Sequence, residues 1–223
     1  MELNKVMDNV YWVGNNRRML VSLNLVKEQS VYGERLVDVK GTQYREWIPF
    51  RSKLAAAIYK GVRGIELHSG SRVLYLGASS GTTVSHVSDI IGHNGQVYAV
   101  EIAEEMGVHL ILLAKTRDNL FPIIADASRI SEYKDIVPKC DFLYQDIAQK
   151  DQIGIFIENA NAFLKRGGFG AIAIKSRSID VTESPYKVIA AAKSQLQKRF
   201  IITNSVPLSP FQKDHELIFI RNG

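Results

Sequence analysis

The chain has 223 residues, with 28 lysines and arginines against 23 acidic residues, and a single cysteine. That length holds one full α/β domain and a small appendage. The lone Cys140 excludes an intrachain disulfide and a cysteine metal cluster, and no apolar run is long enough to span a membrane.

The net charge of +5 permits a polyanionic partner without requiring one. The N-terminal MELNKVMDNVYW has no secretion-signal pattern, so the expected compartment is the cytoplasm.

Residues 1–48 are expected to form a small N-terminal antiparallel β domain. Val10–Val13, Arg18–Leu23, Ser30–Tyr32 and Leu36–Val39 read as strands, separated by GNN, KEQ and YGER, which suggests two hairpins. So few residues cannot hold a large core of their own, and this unit should pack on the larger remainder of the chain. Pro49 marks the junction by biasing its neighbour away from helix. RSKLAAAIYKG then reads as a helix capped by Ser52 or a neighbour and stopped by Gly61. Lys53 falls in its first turn, where the macrodipole disfavours a cation. Most such lysines are solvated surface groups; the unfavourable placement singles this one out.

Residues 49–223 form the second expected domain. From Ser71 onward strands alternate with helices, the mark of a parallel sheet. Strands are expected at Val73–Leu76, Gln96–Val100, Phe121–Ala125, Cys140–Tyr144, Phe169–Ile174, Phe200–Val206 and Glu216–Ile220. The helices should begin near Thr82, Glu104, Ile153 and Tyr186, with RGG closing the third. Only about ten residues join the last two strands, too few for a parallel crossover, so the seventh strand should be antiparallel.

The turn after the first of these strands is GASSG. Gly77 and Gly81 free the backbone, and Thr82 and Thr83 offer hydroxyls to cap the next helix. Glu101 stands at the end of the following strand, where α/β folds place a carboxylate on ribose hydroxyls. The turn lacks the middle glycine of G-x-G-x-x-G, which admits a pyrophosphate, so it suits a nucleoside ligand without one, such as S-adenosylmethionine.

Ligands of such sheets bind beyond the carboxyl ends of the parallel strands. Gly77, Glu101, Asp126, Asp146 and Lys175 all fall there, and His215 joins them if the last strand is antiparallel. Asp126 either accepts from an adenine amino group or caps a helix over Ser128–Tyr133. Asp146 and Lys175 end neighbouring strands. A carboxylate flanked by lysines suits deprotonation of a weakly acidic hydroxyl; a structural ion pair is the plain alternative. His215 can orient a substrate or relay a proton. His68, His86, His93 and His109 show no metal-ligand spacing and read as structural, as does Cys140 as a buried thiol.

The segments YREWIPFRSKLAAAI, VLYLGASSGTTVSHVSDIIG, VYAVE, DIAQKDQ, FLKRGG, AIKSRSID and KDHELI, spanning Tyr44 to Ile220, resemble the fibrillarin family in its short archaeal form. The resemblance implies an α/β class I S-adenosylmethionine-dependent methyltransferase, Rossmann-like, that methylates ribose 2′-hydroxyls of rRNA, with tRNA as a further substrate. Cofactor contacts would come from Gly77, Ala78, Thr82, Thr83, Glu101, Ile102, Asp126, Ala127, and Asp146 with Ile147, Ala148 and Gln149. Ile102 stands where many relatives have an aromatic ring. The family's catalytic Lys-Asp-Lys-His set would fall on Lys53, Asp146, Lys175 and His215, with no metal needed. Implied partners are a Nop-type scaffold protein, a kink-turn-binding protein of ribosomal type, and box C/D guide and target RNAs.

Three rival functions fit the sequence less well. A nicotinamide oxidoreductase conflicts with the GASSG turn and the antiparallel last strand. A small-molecule O-methyltransferase usually carries a substrate lid, and no segment here reads as one. A non-catalytic subunit of an RNA particle would have no reason to keep all four of Lys53, Asp146, Lys175 and His215.

Overall fold

The computed structural model describes residues 2–14 and 19–223. Asn15, Asn16 and Arg18, at the expected first turn and second strand start, lie outside the described residues. Among the described residues the N-terminal unit has five strands: β1 (Leu3–Met7), β2 (Val10–Val13), β3 (Met19–Leu23), β4 (Leu36–Val39) and β5 (Thr42–Glu46). They form one antiparallel sheet in the order β1-β2-β3-β5-β4, in place of two separate hairpins. β1 and β5 add to the expected strands, and Ser30–Tyr32 is not a strand. The Glu34 carboxylate takes the N–H groups of Val31 and Tyr32 at 2.9 and 2.8 Å, so they are not free for a ladder.

The second sheet is built from β6 (Arg72–Leu76), β7 (Gln96–Glu101), β8 (Leu120–Ile124), β9 (Cys140–Gln145), β10 (Leu164–Lys175), β11 (Phe200–Pro207) and β12 (His215–Asn222). Its order is β11-β12-β10-β9-β6-β7-β8. β10, β9, β6, β7 and β8 are parallel neighbours, and β12 runs antiparallel to both β10 and β11, as the short link required. The arrangement is an α/β Rossmann-like sheet with an antiparallel last strand. RGG does not close a helix. It lies within β10, where the pairing with β9 shifts register between Leu164 and Phe169.

Helices α1 (Lys53–Tyr59), α2 (Thr82–Ile91) and α3 (Glu104–Ala114) come before β9, and α4 (Gln152–Phe163), α5 (Ser176–Ile179) and α6 (Pro185–Gln197) after it. Two apolar cores cover the two faces of the large sheet, one with α1 and α2, the other with α4 and α6. Val10, Trp12, Leu20 and Trp47 of the N-terminal unit belong to the first of these, so its apolar side is continuous with the larger core. Cys140 is buried in the second, and desolvation pushes its thiol up to about 12, which leaves it unreactive at neutral pH. No helix among the described residues is long and apolar enough to cross a membrane.

Buried polar groups tie the two sheets together. Arg45 of β5 donates to Glu34 and to Asp89 of α2, both at 2.6 Å, and Arg117 reaches the other oxygen of Asp89, also at 2.6 Å. His86, a turn earlier on α2, lies 2.7 Å from both the Ser22 and Tyr32 hydroxyls and stacks on Trp47. Burial, reinforced by the Arg45 and Arg117 charges, holds the His86 pKa well below 6.5, so the ring stays neutral.

An unfolded chain protonates this histidine below about pH 6.5 while the folded one does not, so stability is full above that pH and falls below it. Urea unfolding between pH 5 and 7 should show up to about 1.4 kcal/mol lost per pH unit from this group, and His86→Gln should remove that component of the slope.

Candidate active site

The GASSG turn sits where β6 gives way to α2. Gly77, at φ +81, comes so close to the β9 end that an added Cβ would lie 2.5 Å from the Asp146 carbonyl oxygen. Only glycine fits there. Gly81, at φ +103, is the N-cap of α2 and makes no side-chain cap. Neither threonine caps the helix, contrary to expectation. Thr83 Oγ1 instead donates to Ser52 Oγ at 3.1 Å, and Ser52 Oγ accepts from Ala55 N–H at 3.3 Å, capping α1. The helix carrying Lys53 is thereby fastened to the first turn of α2.

Beyond the strand ends lies a cleft of about 450 Å³, lined by Gly77, Glu101, Ile102, Ala127, Asp146, Ile147, Ala148 and Gln149, and also by Ser79, Val100, Ala125 and Lys175. A more polar recess of about 260 Å³ adjoins it, lined by Ala78, Thr82, Thr83 and Lys53 together with Arg51 and Tyr75. Gly77, Ser79, Asp146 and Lys175 border both. Glu101 accepts from the Ser79 and Ala103 N–H groups at 2.6 and 2.9 Å, one to each oxygen, which leaves a second lone pair on each.

Asp126 is placed differently. It does not line the cleft; its Oδ1 accepts from Ser128 N–H at 2.9 Å and from Gln149 Nε2 at 3.0 Å. These bonds, Gln149's first, hold its carboxyl below the usual range. Gln149 itself lines the cleft, and its Oε1 is buried without a partner among the described residues.

At the border of the two recesses Lys53 donates to Asp146 Oδ2 at 2.9 Å, and Lys175 forms an ion pair with Oδ1 at 2.9 Å. The second contact is off the line of a hydrogen bond, and Oδ1 has no aligned donor among the described residues. Burial raises the Asp146 pKa, but the two ammonium groups outweigh it and hold the carboxyl below 3.8. The magnitudes agree: each pair near this separation is worth about 4 kcal/mol at an effective dielectric of 20, against several kcal/mol of desolvation for the one carboxylate.

His215 opens β12 opposite Lys175, as the antiparallel register dictates. Its Nδ1 lies 2.6 Å from the Lys213 carbonyl, which can only accept, so Nδ1 carries the proton and Nε2 keeps a lone pair. Desolvation lowers its pKa, opposed by that hydrogen bond, so the ring is neutral at pH 7. Sequence reasoning missed Ser79, Arg51 and Tyr75, and gave Ser52 only as a helix cap. Ser52 and Ser79 carry a weak signal, as hydroxyl residues beside a helix start and in a glycine turn. Among the described residues no group of three or more His, Cys, Asp or Glu side chains could hold a metal ion.

A glycine turn at the first parallel strand, a carboxylate ending the second and an antiparallel final strand together define a class I methyltransferase. The family model described as Fibrillarin matches residues 1–222, and the chain belongs to that family. It is 46% identical over 218 residues to the fibrillarin-like rRNA/tRNA 2′-O-methyltransferase of Methanothermobacter thermautotrophicus, covering 97% of this chain and 96% of that protein. Among solved structures it resembles Aeropyrum pernix fibrillarin in complex with natively bound S-adenosyl-L-methionine, with a TM-score of 0.87, 40% identity and coverage of 98% and 99%. It also resembles a fibrillarin/Nop5p complex, with a TM-score of 0.91, 43% identity and coverage of 99% and 100%.

Proposed function

We propose that this protein methylates ribose 2′-hydroxyls of rRNA, and of tRNA, with S-adenosyl-L-methionine as donor, as the catalytic subunit of a box C/D ribonucleoprotein in the cytoplasm. A guide RNA selects the nucleotide, and a Nop-type scaffold and a kink-turn-binding protein of ribosomal type hold the assembly together. The observation that carries this reading is the Asp146 carboxylate, set between two ammonium groups where the cleft meets the polar recess.

The residues fit the cofactor. The cleft has the size of a nucleoside site, Gly77 lets the end of β9 pack against the turn that borders it, and Glu101 offers acceptors suited to ribose hydroxyls. Bound there, S-adenosyl-L-methionine supplies an electrophilic methyl group that carries its own leaving group. Thr82, Thr83 and Ala78 line the polar recess beside it.

The Asp146 carboxylate accepts the proton of the attacking hydroxyl. A carboxylate with so low a pKa is a weak base toward a free alcohol, so the proton moves late, once the oxygen has given up electron density and become strongly acidic. Lys53 and Lys175 keep Asp146 ionised and stabilise negative charge on the oxygen, and the Nε2 lone pair of His215 orients the ribose. Most of the acceleration comes from holding the hydroxyl in line.

The test is reconstitution with both partner proteins, a guide RNA and target RNA, using methyl-labelled cofactor. Label is expected on one ribose 2′-oxygen, and a guide with a different antisense sequence should move it to a different nucleotide. Label that appears without guide, or that ignores its sequence, overturns the reading.

A further inference from the structure

β9 pairs with β10 only as far as Gln145 against Ile172. Beyond that point Asp146 turns away toward the cleft, and the strand that would have covered the next main-chain groups of β10 is gone. Lys175 therefore has an N–H and a C=O pointing at a gap. Gln152, at the start of α4, fills it with its side chain. Its Oε1 accepts from Lys175 N–H at 3.1 Å and its Nε2 donates to the Lys175 carbonyl at 3.3 Å. One carboxamide thus makes the donor and acceptor pair that a strand residue would have made.

The same residue is tied to the other side of the gap. Gln145, immediately before Asp146, donates from Nε2 to the Gln152 carbonyl at 2.7 Å. Both glutamines are fully buried. Asp151 caps α4 by accepting from Gly154 N–H at 3.1 Å, so the backbone of Gln152 is fixed by the helix. Across Lys175, Ser176 is bound from N–H and Oγ to the Asp214 carbonyl, one residue before His215.

Lysine reaches its partner over four rotatable bonds, so charge attraction alone gives proximity without a fixed geometry. Fixing the Lys175 main chain relative to the Asp146 strand end removes much of that freedom. A buried amide is a costly way to fill space unless it is fully bonded, and both side-chain atoms of Gln152 are used on Lys175.

We propose that Gln152 is a positioning residue for methyl transfer: its buried carboxamide replaces the missing strand, clamps the main chain of Lys175, and through Gln145 sets the spacing between Lys175 and Asp146. This rests on the proposed reaction, and the test separates the two.

Gln152→Met keeps the volume and removes both bonds to Lys175. Gln152→Asn, shorter by one methylene, keeps a polar group and is the milder variant should the first not fold. Asn119→Leu is the control, a buried amide bonded to Ser88 and Gly92 away from the cleft. In the reconstituted particle, below the melting temperature of every variant, Gln152→Met should lower kcat at least tenfold, with Gln152→Asn between it and wild type. The dissociation constant for S-adenosyl-L-methionine should stay within threefold, and Asn119→Leu should lose thermal stability with kcat within twofold. A kcat within twofold of wild type for both Gln152 variants, or a loss matched by weaker cofactor binding, overturns the proposal.

A crystal structure of Gln152→Met, or of Gln152→Asn if needed, reads the clamp without turnover. The Lys175 ammonium should lie beyond about 4 Å from Asp146, the limit of an ion pair. An unchanged 2.9 Å contact overturns the proposal, whereas an inactive wild-type particle counts against the reaction alone.

Discussion

Asp146→Asn should lower methyl transfer by about a thousandfold while the cofactor dissociation constant changes by less than about tenfold. The substitution keeps the shape of the side chain and removes its charge. One amide oxygen can still accept from one lysine, but the amide nitrogen faces the other ammonium group, and both cations lose the anion they share at 2.9 Å. General-base catalysis is typically worth 10²–10⁴-fold, and the disordered lysines add lost stabilisation of the ribose oxygen. Single-turnover transfer to guide-paired RNA gives the rate, and equilibrium dialysis gives the cofactor affinity. A rate within tenfold of wild type would remove Asp146 from the reaction. Because its carboxyl is held below 3.8, Asp146 is already ionised throughout the neutral range and imposes no rate change between pH 6 and 8.

The second large effect is on stability. Asp89→Asn should cost about 3–5 kcal/mol, the usual result of removing one partner from a buried ionic cluster. Asp89 is fully buried and accepts from Arg45, Arg117, the Ser22 hydroxyl and the Leu25 N–H. Without its charge Arg117 loses its anion, and Arg45 keeps only Glu34. For a chain of this length each kcal/mol is worth about 2–4 °C, so the melting temperature should drop by about 6–20 °C. Thermal unfolding followed by circular dichroism measures it, and a drop under 3 °C would mean that the cluster contributes little beyond its shape.

The parallel strands were legible because both of their faces are buried, which writes them as unbroken apolar runs such as Val73–Leu76. β1 and β5 carry no such record. β1 is an edge strand, and β5 contains Gln43 and Arg45, polar residues that become strand interior only beside partners far away. Arg45 is buried because Glu34 and Asp89, 11 and 44 positions distant, neutralise it. Ser30–Tyr32 looks like a strand by residue type, but a nearby carboxylate captures its N–H groups.

The rim residues could be placed because topology alone sends strand ends to one edge, and Lys53 stood out by its conflict with the helix dipole. Gln152 could not be found that way. A glutamine at a helix start is ordinarily solvated, and nothing local reveals that β9 leaves a gap for it.

Lys53 reaches the site from a segment that begins at Trp47, whose ring lies on His86, and ends at Ser52, bonded to Thr83. The N-terminal sheet is therefore not an interchangeable module. A chimera joining that sheet from one relative to the remainder of another inherits Glu34 and Arg45 from one parent and Asp89, His86 and Thr83 from the other. Any mismatch at that seam shifts the start of α1, and with it the ammonium group that meets Asp146. The pieces have to descend together.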